Sequence, residues 1–138
     1  MKFEECLAKG MIRKDESAKG RVITSIESSR RFLNAAKKNL DIDELEMAEI
    51  AAYNSAFHSA RSILFAMGYV ERSHVCLITA LKALSPNAEL LSYLKTFDKL
   101  RLSRHNIQYG GFLTGFEEAS FSVEFAGDFL GYIENSHR

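Results

Sequence analysis

With 138 residues, 46% apolar and 26% charged, and a single proline, the chain is long enough for one domain with a core that needs no metal or disulfide support. Its formal net charge of zero argues against a generally basic nucleic-acid binder, and its apolar content against disorder. The segment MKFEECLAKG at 1–10 carries acids where a signal core would be apolar, and no apolar run approaches membrane-spanning length. A cytoplasmic protein without membrane contact is expected.

Cys6 and Cys76 fall in no CxxC or Cys/His spacing, so they read as free thiols in a reducing compartment, with no metal site and no cofactor. The charge is uneven along the chain: residues 1–38, 39–71, 72–105 and 106–138 carry net charges of +5, −5, +4 and −4. Basic and acidic helices packed against one another explain that alternation; a basic stripe built from the first and third segments is the sharper reading.

In chain order, Phe3 to Met11 reads as a short amphipathic piece. Asp15 or Ser17 is placed to cap a long helix whose stripe is Val22, Ile26, Ser29, Leu33, Ala36 and Leu40. Asp43 with Glu46 has capping-box spacing and opens a second helix through Tyr53, Phe57, Ile63 and Met67, stopped by Gly68. Its Ala51, Ala52, Ser55, Ala56, Ser59 and Ala60 leave room for a neighbouring backbone. A third helix is predicted from Ser73 to before Ser85, with Pro86 in the first turn of the next. That fourth helix carries Leu90, Leu94, Phe97 and Leu100 into Arg101 and Arg104, and Gly110-Gly111 interrupts it.

Thr114 with Glu117 has capping-box spacing for the last helix, which bears the stripe Phe116, Ala119, Val123, Ala126, Leu130 and Ile133. Beside that stripe runs a second one, Phe121, Phe125, Phe129 and Tyr132, assigned to a dimer interface. No β-strand pattern and no repeat is evident. The expected fold is all-α: one domain over residues 1–138, an antiparallel up-and-down bundle of four long helices plus one or more short ones.

Chemistry concentrates in RLSRHNIQYGG at 101–111. Arg101 and Arg104, three apart on a helix, can fork onto one phosphate or carboxylate, and guanidinium keeps its charge at any ordinary pH. The competing role for both is pairing with acids such as Asp98. His105 titrates near neutrality and Tyr109 offers a hydroxyl donor. On the second helix, His58 and Arg61 share a polar edge beside Tyr53 and Phe57, although Arg61 could equally neutralise Glu46, Glu49 or an acid on another helix. Ser73-His74 opens a helix where an anion could bind. No P-loop, dinucleotide fingerprint, HExxH or nucleophile elbow is present.

Together, AAYNSAFHSARSILFAMGY at 51–69, ERSH at 71–74 and RLSRHNIQYGG at 101–111 resemble the HEPN domain family over nearly the whole chain. The resemblance implies a helical bundle, usually dimeric, binding nucleotide or RNA and often encoded beside a minimal nucleotidyltransferase as a toxin-antitoxin pair. The phosphate-binding candidates are then Arg101, Arg104, Tyr109, His58, Arg61 and His74.

Catalytic members are metal-independent RNases with arginine, four to six residues, then histidine, cleaving RNA by attack of the 2′-hydroxyl. This chain departs from that pattern. Four residues after Arg104 comes Tyr109, and only three separate Arg101 from His105. Binding is therefore the leading expectation. An endoribonuclease using Arg104 and His105 is the alternative, and a helical interaction module without ligand is the third.

Overall fold

The computed structural model describes residues 1–136. Four long helices dominate, as the apolar periodicities require: α2 (Val22–Asp41), α3 (Leu45–Ala66), α5 (Ala88–Gly110) and α6 (Phe116–Ser136). Two shorter helices, α1 (Phe3–Ala8) and α4 (His74–Leu84), complete an all-α bundle. A 3-10 helix, Glu16–Arg21, leads into α2, and its N-terminus is capped by Asp15, whose side chain accepts from the Ser17 N–H. Among the described residues, no helix is long and apolar enough to cross a membrane.

Close approach of α2 and α3 follows from small side chains. Ala52, Ser55, Ala56, Ser59 and Ala60 are all fully buried. The Ser29 hydroxyl lies 2.8 Å from both the Ser55 carbonyl and the Ser59 hydroxyl, so this polar seam is satisfied without water. Against α3 pack Leu77, Leu81, Leu94, Phe97 and Phe129, forming the main core with Tyr53 and Leu64. A second cluster joins Leu33 and Ala36 of α2 to Ala48, Val123 and Leu130.

Several local expectations are corrected. Two three-residue strands exist, β1 (Ile12–Lys14) and β2 (Tyr69–Glu71), paired antiparallel with Ile12 opposite Glu71; runs this short carry no period-two signal. Asp43 and Glu46 form no capping box, because Asp43 is left-handed at φ 59° and Glu46 instead accepts from the Thr114 N–H at 3.2 Å. The same bond takes Thr114 away from the start of α6, where the Gly115 carbonyl accepts from Ala119. Pro86 precedes α5 rather than entering its first turn, and the Asn87 side chain caps it at the Leu90 N–H.

Cys6 and Cys76 are not free thiols. They form a buried disulfide between α1 and α4, with Cα atoms 5.8 Å apart. Sequence spacing could not show a bridge across 70 residues, and the pairing removes the free-thiol argument for a reducing compartment.

Of the second stripe of α6, expected at a dimer interface, Phe125 and Phe129 are turned inward. Phe129 is fully buried and Phe125 nearly so, both within the chain's own core. Tyr93 of α5 stacks on Phe129 at 5.0 Å and also meets Phe125 and Tyr132. Only Phe121 remains exposed. Large apolar groups stand open elsewhere, at Leu102, Tyr109, Phe112, Leu113 and Phe116, around the turn joining α5 to α6.

Candidate functional site

Tyr53 lies at the centre of α3 and is fully buried, yet its hydroxyl needs a partner. That partner is His74 Nδ1, 2.5 Å away. His74 is the first residue of α4, fixed there because the Ser73 side chain caps the helix at the Cys76 N–H. Phe57, one turn along from Tyr53, stacks on the imidazole with centroids 4.2 Å apart. Phe97 of α5 stacks on the Tyr53 ring at 5.2 Å.

Arg104 comes in from α5 over that same ring, its guanidinium carbon 4.6 Å from the centroid. This cation–π contact holds the head group over a buried aromatic face. Nη1 donates to Gln108 at 2.9 Å, while Nε is buried with no hydrogen-bond partner. None of the ion pairs among the described residues involves Arg104. Arg101 differs, donating from Nε to Asp98 at 2.8 Å on its own helix.

Arg61 lies two turns along α3 from Tyr53, so helical periodicity sets it on the same flank. Its Nε is 2.7 Å from the Glu71 carboxylate, whose side chain is 4% exposed. The contact is charge pairing, because the Nε–H is not aimed at that oxygen in hydrogen-bond geometry. Burial pushes the Glu71 carboxyl up and Arg61 pulls it down, with burial the larger influence. The Arg61 head group also covers Phe65 at 4.8 Å. His58 is stacked between the helices against Phe32 at 5.5 Å; burial first, then Arg61 and Arg31, hold it below its ordinary value.

These groups act together on His74. Burial is the main cause that lowers it to about 4, and Arg104, Arg101, Arg61 and His58 each add to the effect. The imidazole is therefore neutral at pH 7. Burial keeps the Tyr53 proton on the phenol, with Arg104 opposing. A phenol donating to Nδ1 leaves the ring proton of His74 on Nε2 as a free donor.

The structure thus gathers five of the six phosphate-binding candidates, Arg101, Arg104, His58, Arg61 and His74, around one aromatic floor. Tyr109 is not among them. It is 70% exposed near the end of α5, with the ring of His105, also exposed, 4.9 Å away. One residue on from Arg104 is about 100° round a helix, so His105 projects to a different side from the arginine beside it in the chain. Two residues central to the site lie outside the sequence-based candidates. The spacing of Tyr53 to Phe57 and Arg61 places it on their face but does not mark it as the floor of the site. Glu71 gives no sequence signal, since its link to Arg61 depends on β2 returning beside α3.

Glu49 supports the arrangement from below. It is 3% exposed, and its Oε1 accepts from the hydroxyls of Ser103 on α5 and Ser122 on α6, each at 3.1 Å. The residue before Arg104 is thereby tied to α3. Arg61 pairs with neither Glu46 nor Glu49, but with Glu71. No group of three or more His, Cys, Asp or Glu side chains among the described residues is placed to hold a metal ion.

The molecule is an all-α bundle in which the arginine-bearing α5 crosses the Tyr53 ring. The HEPN domain model matches residues 24–136, and the chain belongs to the HEPN domain family. Its fold is similar to the crystal structure of TT1696 from Thermus thermophilus, with a TM-score of 0.65 and 21% identity over 83% of this chain and 97% of that one. None of the curated proteins matches the chain.

Proposed function

We propose that this HEPN domain binds a phosphate group of a nucleotide or RNA over the Tyr53–His74 pair. Arg104 and Arg101 contact the anion from α5, Arg61 and His58 from α3, and His74 donates from Nε2. The observation that carries the reading is Arg104: a permanently charged group over a buried ring, with no carboxylate partner among the described residues and a buried Nε left unbonded. A bound phosphate supplies the missing counter-charge and acceptor. His74 is lowered first by burial, and the further lowering by Arg104, Arg101 and Arg61 supports the same reading, because positive charge converges there from α3 and α5.

Titration with uridine monophosphate and with mixed RNA tests this. Affinity should fall with salt and drop at least tenfold in Arg104→Gln with the fold retained. An affinity unchanged by that substitution, or no binding by the parent protein, sinks the proposal.

The family resemblance extends the reading to a homodimer acting with a minimal nucleotidyltransferase in a toxin-antitoxin-like pair. The exposed apolar groups at the α5–α6 turn are the surface we assign to the second copy. A nucleotidyltransferase encoded in the adjacent reading frame that co-purifies with this chain is the expected result; the absence of such a neighbour counts against the pairing.

A second reading, metal-independent RNA cleavage, gains one specific observation. His74, rather than His105, lies beside the arginines, and, neutral at pH 7, it accepts a proton at Nε2 in the other tautomer, in which Nδ1–H donates to the Tyr53 oxygen. Cleavage of RNA in EDTA that disappears in both His74→Gln and Arg104→Gln would establish it. Intact RNA would leave binding alone.

A further inference from the structure

Between the start of α2 and the middle of α3 lies a second group of guanidinium side chains. Arg21 and Arg61 both stand over the Phe65 ring, with carbons 5.8 and 4.8 Å from its centroid. With Thr24, Ser28, His58 and Phe65 they line a cavity of about 240 Å³. Arg31 reaches its edge, donating to the Ser28 hydroxyl at 2.9 Å. The other serine of this wall is committed elsewhere: Ser25 donates to the His58 carbonyl.

The charge balance favours an anion. Three guanidiniums meet two carboxylates. Glu71 is held by Arg61, while Asp15 is only loosely placed, 3.9 Å from Arg21, with its other oxygen taken by the Ser17 N–H and hydroxyl. Arg21 and Arg31 therefore keep donors to spare, and Thr24 and Ser28 add hydroxyls.

Size narrows the ligand. Pockets that enclose whole small molecules run from about 300 Å³ upward, and a liquid water takes about 30 Å³, so this cavity suits a phosphate with its waters rather than a nucleoside. It is not isolated. Arg61 and His58 line it and both meet the Phe57 ring, which stacks on His74, the partner of the Tyr53 under Arg104, so the cavity adjoins the Arg104 position.

We propose that the α2–α3 cavity is a second phosphate subsite, holding the phosphodiester next to the one at Arg104, so that the ligand is a single-stranded RNA backbone rather than a free mononucleotide. This rests on the phosphate-binding reading above and adds a substrate class to it. Arg21 and Arg31 are the new contacts, and the Phe65 face carries Arg21 beside Arg61.

The test uses the full chain, Arg21→Gln and Arg104→Gln, titrated with uridine monophosphate, uridine triphosphate and labelled hexauridylate over a salt series. Arg21 is half-exposed, so its variant should keep the parent's melting curve. Hexauridylate should bind most tightly. Arg21→Gln should weaken it about fivefold and reduce its salt slope by about 0.7, the value for one single-strand phosphate contact, while leaving the monophosphate unchanged. Arg104→Gln should weaken both.

Hexauridylate binding unaltered by Arg21→Gln but weakened by Arg104→Gln overturns the second subsite and spares the first. Triphosphate binding as tight as hexauridylate, with the same dependence on Arg21, overturns the RNA assignment. If the parent binds none of the three, both readings fall. Independently of RNA, inorganic phosphate should shift the Ser28 backbone amide resonance saturably in the parent and not in Arg21→Gln; no saturable shift in the parent refutes the subsite.

Discussion

Tyr53 and His74, 21 positions apart on different helices, are joined by a 2.5 Å hydrogen bond between the phenol and Nδ1, beneath the Arg104 guanidinium. The bond sets which imidazole nitrogen faces outward. It also couples the aromatic floor of α3 to the start of α4, so pH, charge and folding meet at one point.

Stability should fall in mild acid because of His74. Its folded value of about 4 lies below the ordinary 6.5, so between those values the unfolded chain takes up a proton that the folded chain refuses. Stability is then full above about pH 6.5, declines as pH falls toward about 4, and levels off below. Urea unfolding across that window should show the decline, and His74→Gln should flatten it, leaving the smaller contribution of His58. A His74→Gln protein with the parent's full slope would show that the imidazole is not the group responsible.

Arg61→Met leaves the Glu71 carboxyl buried without its cation. Removing one partner of a buried pair typically costs about 3–5 kcal/mol; because the Arg61 side chain is 31% exposed, about 2 kcal/mol is expected here. The sign with pH is definite. Burial already raises Glu71, and losing Arg61 raises it further, so the variant is most stable where Glu71 is protonated and loses stability as pH rises through the folded value. The deficit measured by urea should be larger at about pH 8 than at about pH 5.

Reduction should destabilise the chain strongly. The Cys6–Cys76 bridge closes a loop of 70 positions, and chain entropy assigns such a loop about 4 kcal/mol. Dithiothreitol, or Cys6→Ser with Cys76→Ser, should lower the urea midpoint accordingly. A thiol reagent should find no reactive sulfur in the native oxidised protein, and two after unfolding with reductant.

Phe125→Asp and Leu113→Asp should separate core from interface. Phe125 is 8% exposed and packed against Tyr93 and Phe129, so an acid there should unfold the protein or cost at least about 3 kcal/mol. Leu113 is 85% exposed, and its change should leave the melting curve intact. If two copies join at the α5–α6 turn, Leu113→Asp lowers the mass in solution from dimer to monomer. A parent protein already monomeric would end that assignment.

Much of the fold is legible in the sequence because it depends on local pattern. The stripe from Val22 to Leu40, the serine and alanine run of α3, and Gly111, which takes φ 69° at the end of α5, each announce themselves within one helix. The capping boxes mislead because Glu46 and Thr114 have the spacing but find each other across the bundle instead. The phenylalanines of α6 mislead for a related reason: a helix apolar on two sides can be shared with a partner or buried on both, and Tyr93 of α5 decides for burial.

The residue types able to hold phosphate were determined by the sequence, down to Arg101 and Arg104, as was the count that puts four residues between Arg104 and Tyr109. Those are matters of side-chain chemistry and spacing along one chain. Which histidine lies beside the arginines was decided only in three dimensions. His105 sits next to Arg104 in the chain but turns to solvent, whereas His74, thirty positions earlier, is carried under the guanidinium by the packing of α4 and α5 against Tyr53. Neighbours on a helix diverge by about 100°, so adjacency in sequence separates side chains that only packing can reunite.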